Sequence, residues 1–543
     1  MDFNAIKRRF KVTKDYGHKC RAHCPAHNDN VSSLSLEYKI DKNKTLIKCH
    51  GGCTTEEVLR AAGLTFRDLY AVNRKINRNE PERVYKYRNE EGKVDLLGFN
   101  FSEVGNAKRL LALHGKNLRY QALTKRWYLW GGTHWEVDET LKIELLAKDV
   151  LERLQKAASG IDTREESGSK FKQRVMNFIM ASESDNKIKS MINQCKNEEE
   201  IAVTKMDQEI YKINTVNGTV NLKEGTVEAH NREDLITKVL PFNYNKEATC
   251  ENWLKFLDKI FLGDKGLIDF IQKSIGYSLT GDTSQQCYYI CHGRGANGKS
   301  TFLNTIREIM GEYSEVLNEL SIAYSEFATR GPREDIAKLA SRRFVVVPEL
   351  NEGRVLDDAL LKSLTGENAY AVRHNYGREF QLRPEFKLWI SSNEIPEIKS
   401  TSEGTWRRIR LIPFFYKFSE EERDEYFYEK HLKPELEGIF AWAIEGCLKW
   451  QSEGIKIPEK VILASKEYKE GMDLIGRFID ECCTLNESAE TAAGVLYSAY
   501  VSWCKNVGEE QISQMKFSLK LAGKGFKKNK RTHANTFSGI ELK

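Results

Sequence analysis

The stretch 291–301, CHGRGANGKST, sets Gly293 and Gly298 around RGAN and follows at once with Lys299 and Ser300, the full G-x-x-x-x-G-K-[ST] spacing. Residues of these types at this spacing hold nucleotide phosphates. Gly293, Gly295 and Gly298 let the loop's backbone N–H groups, Asn297 among them, approach phosphate oxygens, and the helix N-terminus beyond favours negative charge. Lys299 reaches the β and γ phosphates, and the Ser300 hydroxyl, with Thr301 behind it, coordinates Mg2+. The flanks agree with this reading. CYYICH (287–292) predicts a short buried strand, and STFLNTIREIM places apolar residues at helical spacing.

Hydrolysis needs a second strand that brings a carboxylate to the metal and the attacking water. RRFVVVPELNE (342–352) supplies one, with Phe344 to Val347 apolar and β-prone and Glu349 where the strand ends. EFKLWISSNEIP repeats the pattern and ends in Asn393, which can orient a water against the γ-phosphate. GTWRRIRLIPF then carries the adjacent cations Arg407 and Arg408.

A different chemistry opens the chain. Cys24-x2-His27 and Cys49-x3-Cys53 are two ligand pairs separated by strand-like segments, the make-up of a tetrahedral, structural Zn2+ site. Cys20, His23 and His50 are near enough in sequence to substitute. Four of the twelve cysteines fall in this segment and the rest are scattered, as expected of a metal site plus free thiols in a reducing compartment.

The elements that position these groups need several domains: 543 residues suit about three to five. The composition, 30% charged and 40% hydrophobic, is that of an ordinary soluble protein, and a net charge of +6 says little about partners. No signal-peptide core stands in MDFNAIKRRFKV, and no run approaches the roughly 18 apolar residues of a membrane span. A cytosolic location without membrane contact is expected. Charge concentrates instead at the end of the chain, where Lys516, Lys520, Lys524, Lys527, Lys528, Lys530 and Arg531 fall close together. Two helices and a terminal hairpin there suggest a winged helix. In WYLWGGTHW the tryptophans read as core residues of a hairpin rather than base-stacking platforms. AYAVRHNYGREFQLRPEF (369–386) reads as another hairpin, with β-prone arms around RHNYG.

NAKRLLALHGKNLRY, NGTVNL, DLITKVLPFNYN, GYSLTGDTSQQ, LDDALLKSLTGEN and SEGTWRRIRLIPF, in this order, resemble superfamily 3 helicases of the poxvirus and phage or plasmid primase-helicase type, over about residues 100–485. The resemblance implies a multidomain α/β protein with an AAA+-like P-loop ATPase core. Such a core works as a ring, usually a homohexamer, with ATP between subunits and movement from 3′ to 5′ along single-stranded DNA. It makes Arg408 or Arg407 the finger that completes a neighbour's site, and Lys362 a sensor of the γ-phosphate. It also places Arg373 and His374 of the 369–386 hairpin on the DNA backbone. Many related ATPases end the second strand with two adjacent acids, whereas Leu350 follows Glu349, so Glu349 acts largely alone or with Glu352.

The amino-terminal segment resembles the zinc ribbon of bacterial and phage primases in its CPAH start and its TTEEVLRAAGL helix, which implies contact with a single-stranded template. Between Tyr70 and Gly105 lie about 35 residues, too few for a primer-synthesis domain of roughly 100; RVYKYRNEEGKVDLLGFNF reads as a charged linker and one hairpin. The expected organisation is a ribbon (1–70), linker (71–104), helicase amino-terminal α+β domain (105–240), ATPase core (241–430), helical segment (431–485) and winged-helix-like domain (486–543). The function expected is a replicative DNA helicase of a phage, plasmid or mobile element in a bacterial cell, near the nucleoid. It would use ATP, Mg2+ and Zn2+, act on single-stranded and forked DNA, and depend on a separate primase or polymerase. Its rivals are a bifunctional primase-helicase and an origin-binding initiator or loader that uses ATP without unwinding.

Overall fold

The computed structural model describes residues 6–16, 19–28, 30–39, 44–65, 69, 94–325, 333–351, 353–366, 369–373, 375, 379–400, 402–531 and 535–543. The chain divides into two compact units, 1–99 and 100–543.

In the first unit, β1 (Val12–Asp15), β2 (Lys19–Ala22), β3 (Leu34–Lys39) and β4 (Lys44–Cys49) form an antiparallel sheet in sequential order. Alternation decides its faces. Cys20, Ala22, Leu34, Leu36 and Ile47 are buried with Val58 and Leu59 of the helix Thr55–Ala61, while Lys19 and Arg21 between them are exposed. That helix starts where it does because Thr54 and Glu57 cap each other. The Glu57 N–H donates to Thr54 Oγ1 at 3.3 Å and the Thr54 N–H to Glu57 Oε2 at 2.8 Å, an arrangement worth about 1 kcal/mol. Most of the stretch read as linker and hairpin, 70–93, lies outside the described residues.

The second unit opens with the helices Glu103–His114, Lys142–Ser159, Glu166–Ser182 and Asp185–Cys195 beside a sheet of β5 (Leu118–Gln121), β6 (Arg126–Trp130), β7 (Trp135–Val137) and β8 (Ala202–Val203), ordered β7-β6-β5-β8. Trp135 belongs to it as core, wholly buried with its indole N–H donating to the Arg232 carbonyl at 2.9 Å, while Trp127 and Trp130 are half-buried. A three-stranded meander follows, β9 (Lys212–Thr215), β10 (Gly218–Asn221) and β11 (Thr226–Glu228).

After the helices Glu251–Ile260 and Lys265–Leu279 come β12 (Tyr288–His292), β13 (Ser314–Val316) and β14 (Phe344–Leu350), the hairpin β15 (Tyr370–Arg373) and β16 (Glu379–Leu382), then β17 (Lys387–Ser392) and β18 (Ile409–Pro413). Five of these make one all-parallel sheet, ordered β13-β14-β17-β12-β18. Both faces are covered, which is why the strands read as unbroken apolar runs. Phe344, Val346, Trp389 and Ile412 enter a core with Phe302 and Ile306, whereas Val345, Val347, Ile390 and Leu411 point into a second core with Leu361 and Leu364. The first core runs from Ile213 to Val461, across the expected boundaries at residues 240 and 430.

The tail has its own core, built on Ile475, Phe478, Leu496, Tyr500, Phe517 and Phe537. Its elements are the helix Leu474–Cys482, β19 (Cys483–Ala492), the helices Ala493–Val507 and Gln514–Gly523, β20 (Lys527–Lys530) and β21 (Asn535–Leu542), with sheet order β19-β21-β20. The two helices and terminal hairpin are present, but the core begins about a dozen residues before 486 and includes one more helix and strand. Among the described residues no helix is long and apolar enough to cross a membrane.

Candidate functional site

β12 runs into the loop 293–298 and then into the helix Lys299–Met310, so the loop lies at the carboxyl end of the parallel sheet, where ligands of such sheets bind. Gly298 sits at φ +85°, and a Cβ there would lie 2.9 Å from Ile260 Cγ2 and 3.2 Å from the Phe256 ring; only glycine satisfies both the conformation and the space. Neighbouring segments pin the loop's backbone. The Gly293 N–H donates to the Ser392 carbonyl at 3.3 Å, and the Phe418 N–H to the Ala296 carbonyl at 2.8 Å. At Gly295 the space beside the chain is open. Ser300, exposed, and Thr301 stand in the helix's first turn.

Lys299 joins the ends of β12 and β17. It is only 4% exposed, and its Nζ donates to Asn393 Oδ1 at 3.1 Å, to Asn297 Oδ1 at 3.3 Å and to the Gly293 carbonyl. Burial lowers its pKa, while the charge of Glu349 opposes the shift. Glu349 reaches this neighbourhood through an irregularity in the ladder. Val347 pairs with Ile390, but the next pair is Leu350 with Ser392, so one extra residue lifts Pro348 and Glu349 out of register and leaves both exposed. Leu350, by contrast, is 3% exposed in the second core. A second acid directly after Glu349 would therefore be buried in hydrocarbon. Glu352, the other expected assistant, lies outside the described residues.

Arg407 and Arg408 stand at the opposite end of the sheet. The Tyr288 N–H donates to the Arg408 carbonyl at 2.9 Å, and β12 and β18 then run in parallel register from Tyr288–Ile409 to His292–Pro413. Four strand rises, about 13 Å, separate these arginines from the loop of their own chain. Arg408 donates to the Gly404 carbonyl and, at 3.3 Å, to Gln286 Oε1, while Arg407 is exposed. Lys362 does not approach its own chain's loop either. It donates to Ser402 Oγ at 2.9 Å and shares an open cleft of about 390 Å³ with Arg408, Gln286 and Tyr370. Gln286 escaped the sequence reading, since no motif marks the partner of a guanidinium.

The expected hairpin is present as β15–β16, and its last described pair, Arg373 with Glu379, is exposed. His374 lies outside the described residues. In the tail, Lys516 and Lys520 are exposed on the helix Gln514–Gly523, as are Lys527, Lys528 and Lys530 on β20. Arg531 pairs with Glu490 at 2.7 Å, and Lys524 is likewise engaged by Asp473.

In the amino-terminal unit the ligand atoms of Cys24, His27, Cys49 and Cys53 all lie within 4.8 Å of one another. A tetrahedral zinc with bonds of about 2.0–2.3 Å sets ligand separations of about 3.3–3.8 Å. His27 Nδ1 stands 3.1 Å from Cys53 Sγ and 3.8 Å from Cys49 Sγ, which fits such an ion. The other ring nitrogen, Nε2, meets the Ser33 hydroxyl at 3.3 Å, a contact that orients the imidazole. Although burial raises the Cys49 pKa, hydrogen bonds from the Cys53 and Gly51 N–H groups and the Ser33 hydroxyl outweigh it and hold the thiol below its usual value. Two of the three substitutes are engaged elsewhere. Cys20 is core, and His50 Nε2 meets Ser35 Oγ at 3.3 Å.

The three-residue gap between Cys49 and Cys53 works because of its glycines: a Cβ on Gly51 would stand 2.7 Å from His27 Cε1, and Gly52 has φ +94°. Purified protein is expected to hold about one zinc per chain, and Cys49→Ser to hold none and to unfold this unit while ATP turnover survives. Metal analysis and turnover on the same sample check this; loss of both together would make the unit part of the motor.

Family models match three segments. They are described as D5 N terminal like over residues 107–262, a family of unknown function over 291–408, and poxvirus D5 protein-like over 470–538. Protein L207/L206 of Acanthamoeba polyphaga mimivirus, provisionally named a helicase, is 23% identical over 70% of this chain and 43% of its own length. The provisionally named helicase 184R of Invertebrate iridescent virus 6 is 26% identical over 62% of this chain and 39% of its own. The provisionally named primase C962R of African swine fever virus is 26% identical over 39% of this chain and 24% of its own. The chain thus spans less than half the length of these relatives. They come from viruses of eukaryotes and lend no support to a bacterial host. Among solved structures, the NrS-1 C-terminal region superposes on 79% of this chain and 97% of its own with a TM-score of 0.44 at 11% identity. The matched segments and these relatives support a poxvirus D5-like primase-helicase family for this chain.

Proposed function

We propose that this chain is an ATP-driven DNA helicase of a viral or other mobile genome's replication machinery, with an AAA+-like superfamily 3 core working as a ring, a zinc ribbon and a winged-helix tail. The observation that carries the reading is the bond from Lys299 to Asn393 at the carboxyl end of a parallel sheet, with Glu349 exposed beside it. Lys299 would hold the β and γ phosphates, Asn393 would orient a water in line with the γ-phosphorus, and Glu349 would take the proton as that water attacks and ADP leaves. Mg2+, bound by Ser300 and Glu349, would neutralise charge on the β and γ oxygens. The names given to L207/L206 and 184R favour unwinding, and that of C962R keeps primer synthesis in view. Exposed Arg373 would follow the backbone of single-stranded DNA, and Lys516, Lys520, Lys527, Lys528 and Lys530 would contact duplex phosphates.

The test combines ATP turnover with strand separation on forks carrying a 3′ or a 5′ tail, with labelled nucleotides and unprimed template in the same tube. Turnover raised by single strands, with unwinding from the 3′ tail, is the expected result. Tight duplex binding without that stimulation would replace the reading with an initiator or loader. Labelled primers would show that this chain also carries a synthesis site.

A further inference from the structure

The strands that present Glu349 and Asn393 are held at their other ends by two buried cations. Arg343 immediately precedes β14 and Lys387 begins β17; they are 5% and 1% exposed, and the Lys387 N–H donates to the Arg343 carbonyl at 2.8 Å. Their side chains leave the sheet together and end on backbone carbonyls of two other segments. The Arg343 guanidinium donates to Leu279 at 2.9 Å, and to Glu209 and Lys212 at 2.9 and 2.8 Å. The Lys387 ammonium donates to the Thr280 carbonyl and, at 2.9 Å, to that of Asp282. The two acceptor segments are themselves joined. The Tyr211 hydroxyl donates to Asp282 Oδ2 at 2.9 Å, and the Gly281 N–H to the Ile210 carbonyl at 2.8 Å, where a Cβ on Gly281 would lie 2.8 Å from Ile210.

Packing alone does not call for this arrangement. No carboxylate bonds directly to either cation in these contacts, and burying charge against neutral carbonyls costs several kcal/mol per ion. Burial, and then the neighbouring Arg343, pull the Lys387 pKa down to about 7. What the cations supply is reach and direction: of five bonds from the base of two adjacent strands, two reach the segment that leads directly into β9 and three reach the 279–282 backbone joined to it.

We propose that Arg343 and Lys387 are positioning residues forming a clamp that makes the β14–β17 pair and the 209–212 and 279–282 backbone move as one, so that the nucleotide state at Glu349 and Asn393 is transmitted to the β9–β10 meander. The inference rests on the ATPase reading above. Strands are stiff along their length, and a displacement at one end reaches the other only if that end is held without slack. Truncating a clamp residue would leave the nucleotide site built but uncoupled.

Hydrogen exchange at Ile213–Val220, with ADP and with a non-hydrolysable ATP analogue, reads this coupling. Wild type is expected to show exchange rates that differ by about fivefold or more between the two nucleotides. Lys387→Met should bind ATP within about twofold of wild type, lose that difference and lose stimulation of kcat by single-stranded DNA with little change in KM. Were Lys387→Met to misfold, Tyr211→Phe, which removes the side-chain link between the acceptor segments and leaves the Gly281–Ile210 backbone bond, should reduce the difference. A merely structural role would lower the melting temperature of either variant and leave the nucleotide difference intact. A wild-type chain that hydrolyses ATP without any response at Ile213–Val220, or a folded variant with an undiminished response, overturns the clamp and leaves the ATPase reading standing. A wild type that neither binds nor hydrolyses ATP overturns both.

Discussion

Lys299→Ala is expected to lower ATP turnover by about 10³-fold or more, since removing even one preorganised donor from a charge-stabilising site costs roughly 10²–10³. Lys299 is more than one donor, because it contacts the Gly293 carbonyl, Asn297 and Asn393 at once and so aligns the loop with the end of β17. The same substitution should not lower the melting temperature. Burial depresses the lysine's pKa, so the fold holds the cation at a free-energy cost and is relieved of it by alanine. Loss of turnover with retained or raised thermal stability is thus the signature of a functional cation. Loss of both would mean that Lys299 holds the loop together. Turnover within about tenfold of wild type would remove Lys299 from the phosphate site.

The groups meant to touch phosphate or metal were legible in the sequence because their chemistry restricts the residue types at each step. The glycine spacing before Lys299, the acid at the end of one apolar run and the amide at the end of another all end up at one edge of the sheet. The four ligands Cys24, His27, Cys49 and Cys53 converge as their types and spacing require. β12, β14 and β17 were legible as well, since strands buried on both faces carry no polar alternation to confuse.

What escaped is non-local. Lys362 stands within an ordinary amphipathic helical turn, and only the tertiary fold sets it beside Arg408 rather than beside the loop. Arg531 looks like its neighbouring lysines until β19, too polar to announce itself as a strand, brings Glu490 across the sheet. The gap in acid after Glu349 has a packing cause, since Leu350 is a core residue and Glu349 owes its exposure to the ladder's extra residue. Arg343 and Lys387 resemble surface cations in sequence and are the reverse in the fold.

Arg408→Ala is expected to lower turnover by about 10³- to 10⁵-fold while leaving ATP binding within about twofold, if its guanidinium completes a site on another copy of the chain. Within its own chain the arginine stands away from the loop. The residue lies at the amino-terminal end of β18, a strand's length from its own loop, yet its guanidinium lines an open cleft with Lys362. An Arg408→Ala chain keeps an intact loop, and a Lys299→Ala chain keeps an intact arginine. In a head-to-tail ring, pairing the loop of the first with the arginine of the second rebuilds a complete site. Random mixing of equal amounts should therefore restore about a quarter of the wild-type sites, although neither variant is active alone. An arginine serving its own chain's loop would restore none, because no subunit would hold both halves. Lys362→Ala tested by the same mixing should complement Lys299→Ala and fail to complement Arg408→Ala, since Lys362 and Arg408 face one cleft. Recovery in the second mixture would separate the two cations and leave Lys362 as a prop for Ser402 and Asp358.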